Sequence, residues 1–270
     1  MSLALDDRQR AMLAEFGIRF LEPAVAASAF APAPAARLQA AAAAPAVAPE
    51  KIAINDLPTR GFPVFDAQTP AVAGPAGIEA MDWDALAGTV TACQACGLCN
   101  TRRSTVFGVG DRQADWLIIG DSPDENDELQ GEPFVGQAGQ LLDNMLRAMG
   151  LDRTRKVYIA NLLKCRPPSN RIPEPAELAQ CAPFLRRQVE LLQPKMILVM
   201  GRFAAQSLLQ TTEPIGKLRG RAHQYHGVPL VVTYPPAYLL RNQPDKARAW
   251  ADLCLAQDIL EGKAPAAAAS

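Results

Sequence analysis

WLIIGD at 116–121, GQAGQLLDNMLRAMG at 136–150 and KVYIANLLK at 156–164 form the stretch whose reading decides the fold. The first and third runs are short and almost continuously apolar, as strands covered on both faces are. The middle run places Leu141, Leu142, Met145, Leu146 and Met149 at helical spacing. A strand, a helix and a second strand in that order make a βαβ unit and hence a parallel pair. The pattern continues outward. EPAELAQCAPFLRRQVELLQ (174–193) and GRFAAQSLLQ (201–210) read as helices, while MILVMG (196–201) and PLVVTY (229–234) read as further strands. The expected fold class is α/β: a three-layer α/β/α domain on a central, parallel, four-stranded sheet. Ligands of open parallel sheets bind beyond the carboxyl ends of the strands. That rule nominates Asp121, Asn161, Gly201 and the segment Tyr234 to Ala237 as one rim.

Composition bounds the rest. The chain has 270 residues and a net charge of −1, so no overall field draws it to nucleic acid, and any such contact needs a local patch. No apolar run approaches a membrane span, and the N-terminus has no signal-like pattern, so the expectation is a cytoplasmic protein with no membrane contact. LALDDRQRAMLAEFGIRFL reads as a short helix within 1–22, solvated or else a docking peptide for a protein partner. Residues 23–80 begin with an Ala/Pro-rich run and read as a linker. Residues 81–262 are the compact domain, and 263–270 a disordered tail. Cys93, Cys96 and Cys99 stand at two-residue spacings, with Cys165 and Cys181 far downstream. Such a set suits zinc or an iron–sulfur cluster, and spacing does not distinguish the two. Cys254, in an apolar helical run, reads as a core residue.

Five segments taken together carry a resemblance. CQACGLC (93–99), GDSP (120–123), GEPFVGQAGQLLD (131–143), YIANLLKCRPPSNR (158–171) and PAYLLR (236–241) resemble the type 4 uracil-DNA glycosylases in order and spacing, over about residues 83–260. The resemblance implies a monomer that removes uracil from DNA and carries a [4Fe-4S] cluster on Cys93, Cys96, Cys165 and Cys181, with Cys99 a bystander. It implies a base pocket of Gly120, Ser122, Phe134, Asn161 and Pro235. Phe134 stacks on the base, although read without the motif it is equally an ordinary core residue. One amide at Asn161 offers a donor and an acceptor that match uracil O4 and N3–H, whereas cytosine presents the reverse pattern. Asp121 stands where the family has Glu and is expected to act on the attacking water. Tyr238, Leu239 and Leu240 are expected to wedge into the duplex, with Arg241 on a phosphate. Backbone N–H groups at Gly136 to Ala138 offer a second phosphate site. Lys164, Arg166, Arg171, Arg219 and Arg221 are candidates for a local basic surface.

Two positions depart from that family. Pro235 replaces the His that helps stabilise the departing uracil anion, and His223 and His226 are expected at the far end of the fourth strand. Asp124 replaces a Gly, and a second carboxylate there is expected to raise the pKa of a neighbour such as Asp121. Two alternatives to an active glycosylase follow: a degenerate member that binds uracil or damaged DNA without efficient cleavage, and an unrelated metal- or cluster-binding interaction module.

Overall fold

The computed structural model describes residues 77–265. The reading of 1–22 as a helix falls outside that range, as do most of the 23–80 linker and most of the 263–270 tail. At its near edge the linker reading is corrected. Ile78 is buried against Leu86, Val90 and Phe184, so the compact domain has begun by that residue.

Helix α1 (Trp83–Ala92) starts where the side chain of Asp82 accepts the Ala85 N–H, and it ends at Cys93. A two-residue strand β1 (Val109–Gly110) then leads into β2 (Trp116–Gly120), α2 (Glu125–Gln130), α3 (Gly136–Ala148) and β3 (Val157–Asn161). Helix α4 (Pro175–Leu192), β4 (Met196–Met200), α5 (Arg202–Leu208) and α6 (Ile215–Leu218) follow. The hairpin β5 (Ala222–Tyr225) and β6 (Val228–Thr233), then α7 (Pro236–Arg241) and α8 (Lys246–Leu260), complete the domain.

The sheet has six strands in the order β1-β3-β2-β4-β6-β5. Its four central strands are the expected parallel set. An antiparallel strand is added at each edge: β1 beside β3 and β5 beside β6. All five residues of β2, of β3 and of β4 are buried, which accounts for the unbroken apolar runs. Helices supply the two covers, so each buried Leu, Ile or Val contributes about 1.5–3 kcal/mol. Register then places the site. Gly120 pairs with both Asn161 and Met200, and Met200 pairs with Thr233, so the carboxyl ends of the four strands form one level row. The chain leaves β2 toward β3 on one side and returns to β4 on the other. The loops after β2 and β4 therefore meet at a topological switch point.

Candidate functional site

At the row's centre, Gly120, Asn161 and Phe134 close on one another. A Cβ built on Gly120 would collide with Asn161 Oδ1 and come within 2.6 Å of Phe134 Cζ, so only glycine lets the amide and the ring approach. Asn161 is 1% exposed, and its Nδ2 has no hydrogen-bond partner among the described residues. An unmet buried donor of this kind costs roughly 1–3 kcal/mol. A site built to hold an acceptor is a physical reason for the fold to retain it.

Phe134 is held in place by groups that sequence reading missed. Its backbone is left-handed, with φ 54°. Arg153 donates to Pro133 O at 3.1 Å and Phe134 O at 2.6 Å, and it pairs with Asp143 at 2.9 Å. From the other side the buried Asp127 carboxylate accepts the Val135 N–H at 2.9 Å. Burial pushes the Asp127 carboxyl above its ordinary range, and the backbone donors only partly offset this. The signal for Asp127 was present in DEND (124–127), the acidic variant of a capping box.

That box also corrects the reading of Asp124. Its carboxylate caps α2, accepting the Asp127 N–H at 2.9 Å, while its own N–H bonds back to Asp127. Asp124 does raise a neighbouring carboxyl, that of Asp127, and is not among the main influences on Asp121. Burial raises the Asp121 carboxyl to about 6, against N–H donors at the start of α5 that lower it. Asp121 Oδ1 accepts the Ala204 N–H at 2.7 Å and lies against Gly201, where any Cβ would strike the carboxylate. The structure thus places Asp121 on the rim with its carboxylate already engaged by N–H groups at the start of α5. Ser122 follows it on the same loop, half-buried.

The last segment turns differently from the expected wedge. Leu239 is 1% exposed and packs inward, because in α7 it faces the core rather than solvent. Leu240 is half-buried and Arg241 exposed. Tyr238 is engaged at both ends: its hydroxyl donates to Asp245 at 2.6 Å and its ring stacks on Tyr234 at 5.0 Å. Arg219 lies 5.4 Å over the other ring, Tyr234, and forms a bidentate pair with the buried Asp252. Pro235 is half-buried and precedes the first turn of α7. The β5–β6 hairpin carries the histidines away from the rim. His223 pairs with Leu230, and His226 sits in the turn before Val228.

The proposed basic surface is largely committed elsewhere. Lys164 is buried, Arg171 is paired with Glu177, Arg166 with Glu125 and Glu128, and Arg221 with Glu213. Gly136 opens α3 without a side-chain cap, so its first N–H groups remain available to an anion.

The cysteines form a group of their own. All six are free thiols; Cys165 and Cys181 are buried, and Cys93 and Cys96 are half-buried. Cys96 is in electrostatic reach of Cys93, Cys165 of both, and Cys181 of Cys165 and Cys96. Among the described residues no three Cys, His, Asp or Glu side chains converge as ligands of a single ion do. Zinc draws sulfurs to about 2.3 Å from one point, whereas a four-iron cage keeps its thiolates farther apart. Donors surround the sulfurs as they would thiolates: Arg102 donates to Cys165 Sγ at 3.1 Å and the Lys164 backbone N–H bonds Cys181. The donor set of four cysteines fits a sulfur-ligated metal centre. Cys99 is also in electrostatic reach of Cys96, with its Sγ 3.5 Å from Asn100, and Cys254 is half-buried on α8.

Residues 107–254 match the family model of the uracil DNA glycosylase superfamily. The chain is 41% identical over 170 residues to a type-4 uracil-DNA glycosylase of Saccharolobus solfataricus, covering 60% of this chain and 78% of the relative. A type-4 uracil-DNA glycosylase of Archaeoglobus fulgidus is 39% identical over 56% of this chain and 79% of its own length. One from Thermotoga maritima is 39% identical over 59% and 83%.

Proposed function

The chain belongs to the uracil DNA glycosylase superfamily, and on that premise we infer that it is a uracil-DNA glycosylase. It hydrolyses the N-glycosidic bond of deoxyuridine in DNA and releases free uracil, the step that starts base excision repair. The observation that carries the pocket assignment is the unpartnered Asn161 Nδ2, buried beside Gly120 and the Phe134 ring. Uracil answers it with O4 and offers N3–H to Oδ1. Cytosine would set its amino group against Nδ2, donor to donor, leaving both unpaired in a dry site.

The target nucleotide must leave the stack to reach this depth. Phe134 covers one face of the extruded base, with Gly120, Ser122 and Pro235 lining its edges. The bond breaks toward a cationic sugar and a uracil anion. Asp121 is the one carboxylate assigned to that step. With a pKa near 6 it is ionised at neutral pH. We assign it a fixed negative charge that favours the sugar cation and orients the attacking water. Pro235 supplies neither an imidazole nor an N–H, so charge on uracil O2 falls to neighbouring backbone donors. Tyr238, Leu240 and Arg241 meet the duplex, while Leu239 anchors α7 from beneath.

Cys93, Cys96, Cys165 and Cys181 would hold a [4Fe-4S] cluster, which ties the turn after α1 to the loop after β3 and to α4. Among the described residues no helix is long and apolar enough to cross a membrane.

Uracil release from single- and double-stranded oligonucleotides, each with one deoxyuridine, tests this reading. Free uracil with an abasic product is expected. Binding without release would replace it with the second reading, a uracil-binding relative disabled at Pro235. Neither binding nor release would remove both.

A further inference from the structure

Helix α7 is six residues long, starts at Pro236 directly after Pro235 and has no side-chain cap at that end. Leu239 anchors it from beneath, and Asn242 closes its far end by donating to Tyr238 O at 3.1 Å. Successive residues of a helix turn through about 100°, so Tyr238 and Leu240 leave on opposite flanks of Leu239. A closed circuit of contacts holds the Tyr238 flank. Its hydroxyl donates to one oxygen of Asp245 at 2.6 Å, and the other oxygen accepts Arg248 Nη1 at 3.0 Å. The main-chain carbonyl of Arg248 in turn accepts Arg219 Nη2 at 2.6 Å. The Arg219 guanidinium lies over Tyr234, whose ring stacks on Tyr238, and the circuit is complete. Arg219 is itself fixed by its bidentate pair with Asp252, a carboxylate fully out of solvent.

We propose that Arg219 and Asp245 are positioning residues that fix the roll of α7 and so determine how well the protein acts on double-stranded DNA. This inference rests on the function proposed above. With Leu239 held beneath and Tyr238 held on one flank, α7 cannot turn about its own axis, and Leu240 on the other flank keeps one direction. A side chain pushed between base pairs bears the load of parting them. A helix of six residues is too short to hold its shape alone under that load. In a single strand the target base has no partner to leave, so the aim of Leu240 matters little there. Neither Arg219 nor Asp245 touches the base. The charge of Arg219 is matched by Asp252, so it acts through Tyr234 and not on a phosphate. A carboxylate beside a phosphate backbone weakens binding, and the bond to Tyr238 is a physical reason for Asp245 to stand there.

Uracil release from single- and double-stranded oligonucleotides of one sequence, measured with the full chain and three variants, tests the proposal. Asp245→Ala removes the acceptor of the Tyr238 hydroxyl. It is expected to lower kcat/KM on duplex about tenfold or more and to leave the single-strand value within about twofold. Asp245→Asn drops the charge but keeps an oxygen for the hydroxyl, so it is expected to retain most of the duplex activity. Arg219→Lys keeps the ion pair with Asp252 but cannot also span Arg248 O and the face of Tyr234; it is expected to repeat the duplex-only loss. A loss shared equally by both substrates, or no loss, in Asp245→Ala or in a folded Arg219→Lys overturns the proposal. So does a duplex loss in Asp245→Asn as large as in Asp245→Ala, which would assign the effect to charge. An unaltered chain confined to single strands overturns it as well. If Arg219→Lys does not fold, the two Asp245 variants decide alone. An unaltered chain that releases uracil from neither substrate would instead remove the reading on which the proposal stands.

Discussion

Replacing Asn161 by Ala separates the cost of a binding group from its use. In the free protein the Asn161 Nδ2 is buried and unpartnered. An unmet donor of this kind costs about 1–3 kcal/mol. Deleting it removes that cost, and the small void left behind costs an amount of similar size. The two nearly cancel, so stability is expected to change by no more than about 1 kcal/mol, roughly 2–4 °C in Tm for a domain of this size. Activity should behave very differently. Two hydrogen bonds to the base are lost in a dry pocket, about 3–5 kcal/mol of transition-state binding, or a fall of about 10²- to 10⁴-fold in kcat/KM. Single-turnover release of uracil from a labelled oligonucleotide measures the second quantity, and thermal unfolding the first. Asn161→Leu is the companion, since it refills the space without a donor and should be as stable and as inactive. A variant that unfolds 10 °C early with undiminished kcat/KM would show that Asn161 holds the fold together and does not read the base.

Three other substitutions probe the rim. Gly120→Ala drives a methyl group into Asn161 Oδ1 and the Phe134 ring, at a cost of about 1–3 kcal/mol; kcat/KM should fall at least as far as for Asn161→Ala. Asp121→Asn tests a buried charge whose pKa is raised from 3.8 to about 6. The folded state binds that proton more tightly than the unfolded chain, so this group's contribution is fully present below about pH 4. It is lost as pH rises to about 6, by up to about 3 kcal/mol. Denaturant titrations across that window should show the slope in the unaltered chain and a flatter one in the variant. The unaltered chain's release rate should also rise with pH through about 6. Asp124→Ala removes a helix cap and should cost about 1 kcal/mol without moving that pH profile; a moved profile would restore Asp124 to the site.

What the sequence disclosed and what it hid follow from the range of the forces involved. The four parallel strands were legible because burial on both faces writes itself as an unbroken apolar run. Edge strands β1 and β5 left no such mark: Val109–Gly110 is two residues long, and all four residues of Ala222–Tyr225 are only half-buried. The rim was legible for the same reason as the sheet, since strand ends follow once strands are known. The charges were misread. Asp124 looked like a second carboxylate in the site, and the structure makes it a cap. Lys164 and Arg219 looked like a surface for phosphates. The structure buries the first among carbonyls beside cysteines and commits the second to Asp252, 33 residues downstream. A charged side chain's role depends on a partner that local pattern cannot name, whereas an apolar residue needs only to be out of water. The residues that position Phe134 belong to the same class, because Asp127 on α2 and Arg153 in the loop before β3 act on the main chain at Pro133 to Val135. Function at this site therefore rests on two layers with different legibility. The contact layer of Gly120, Phe134 and Asn161 shows in motif spacing. The layer that aims it, Asp127 and Arg153, consists of charged groups bonded to main-chain carbonyls and N–H groups, and only the fold reveals it.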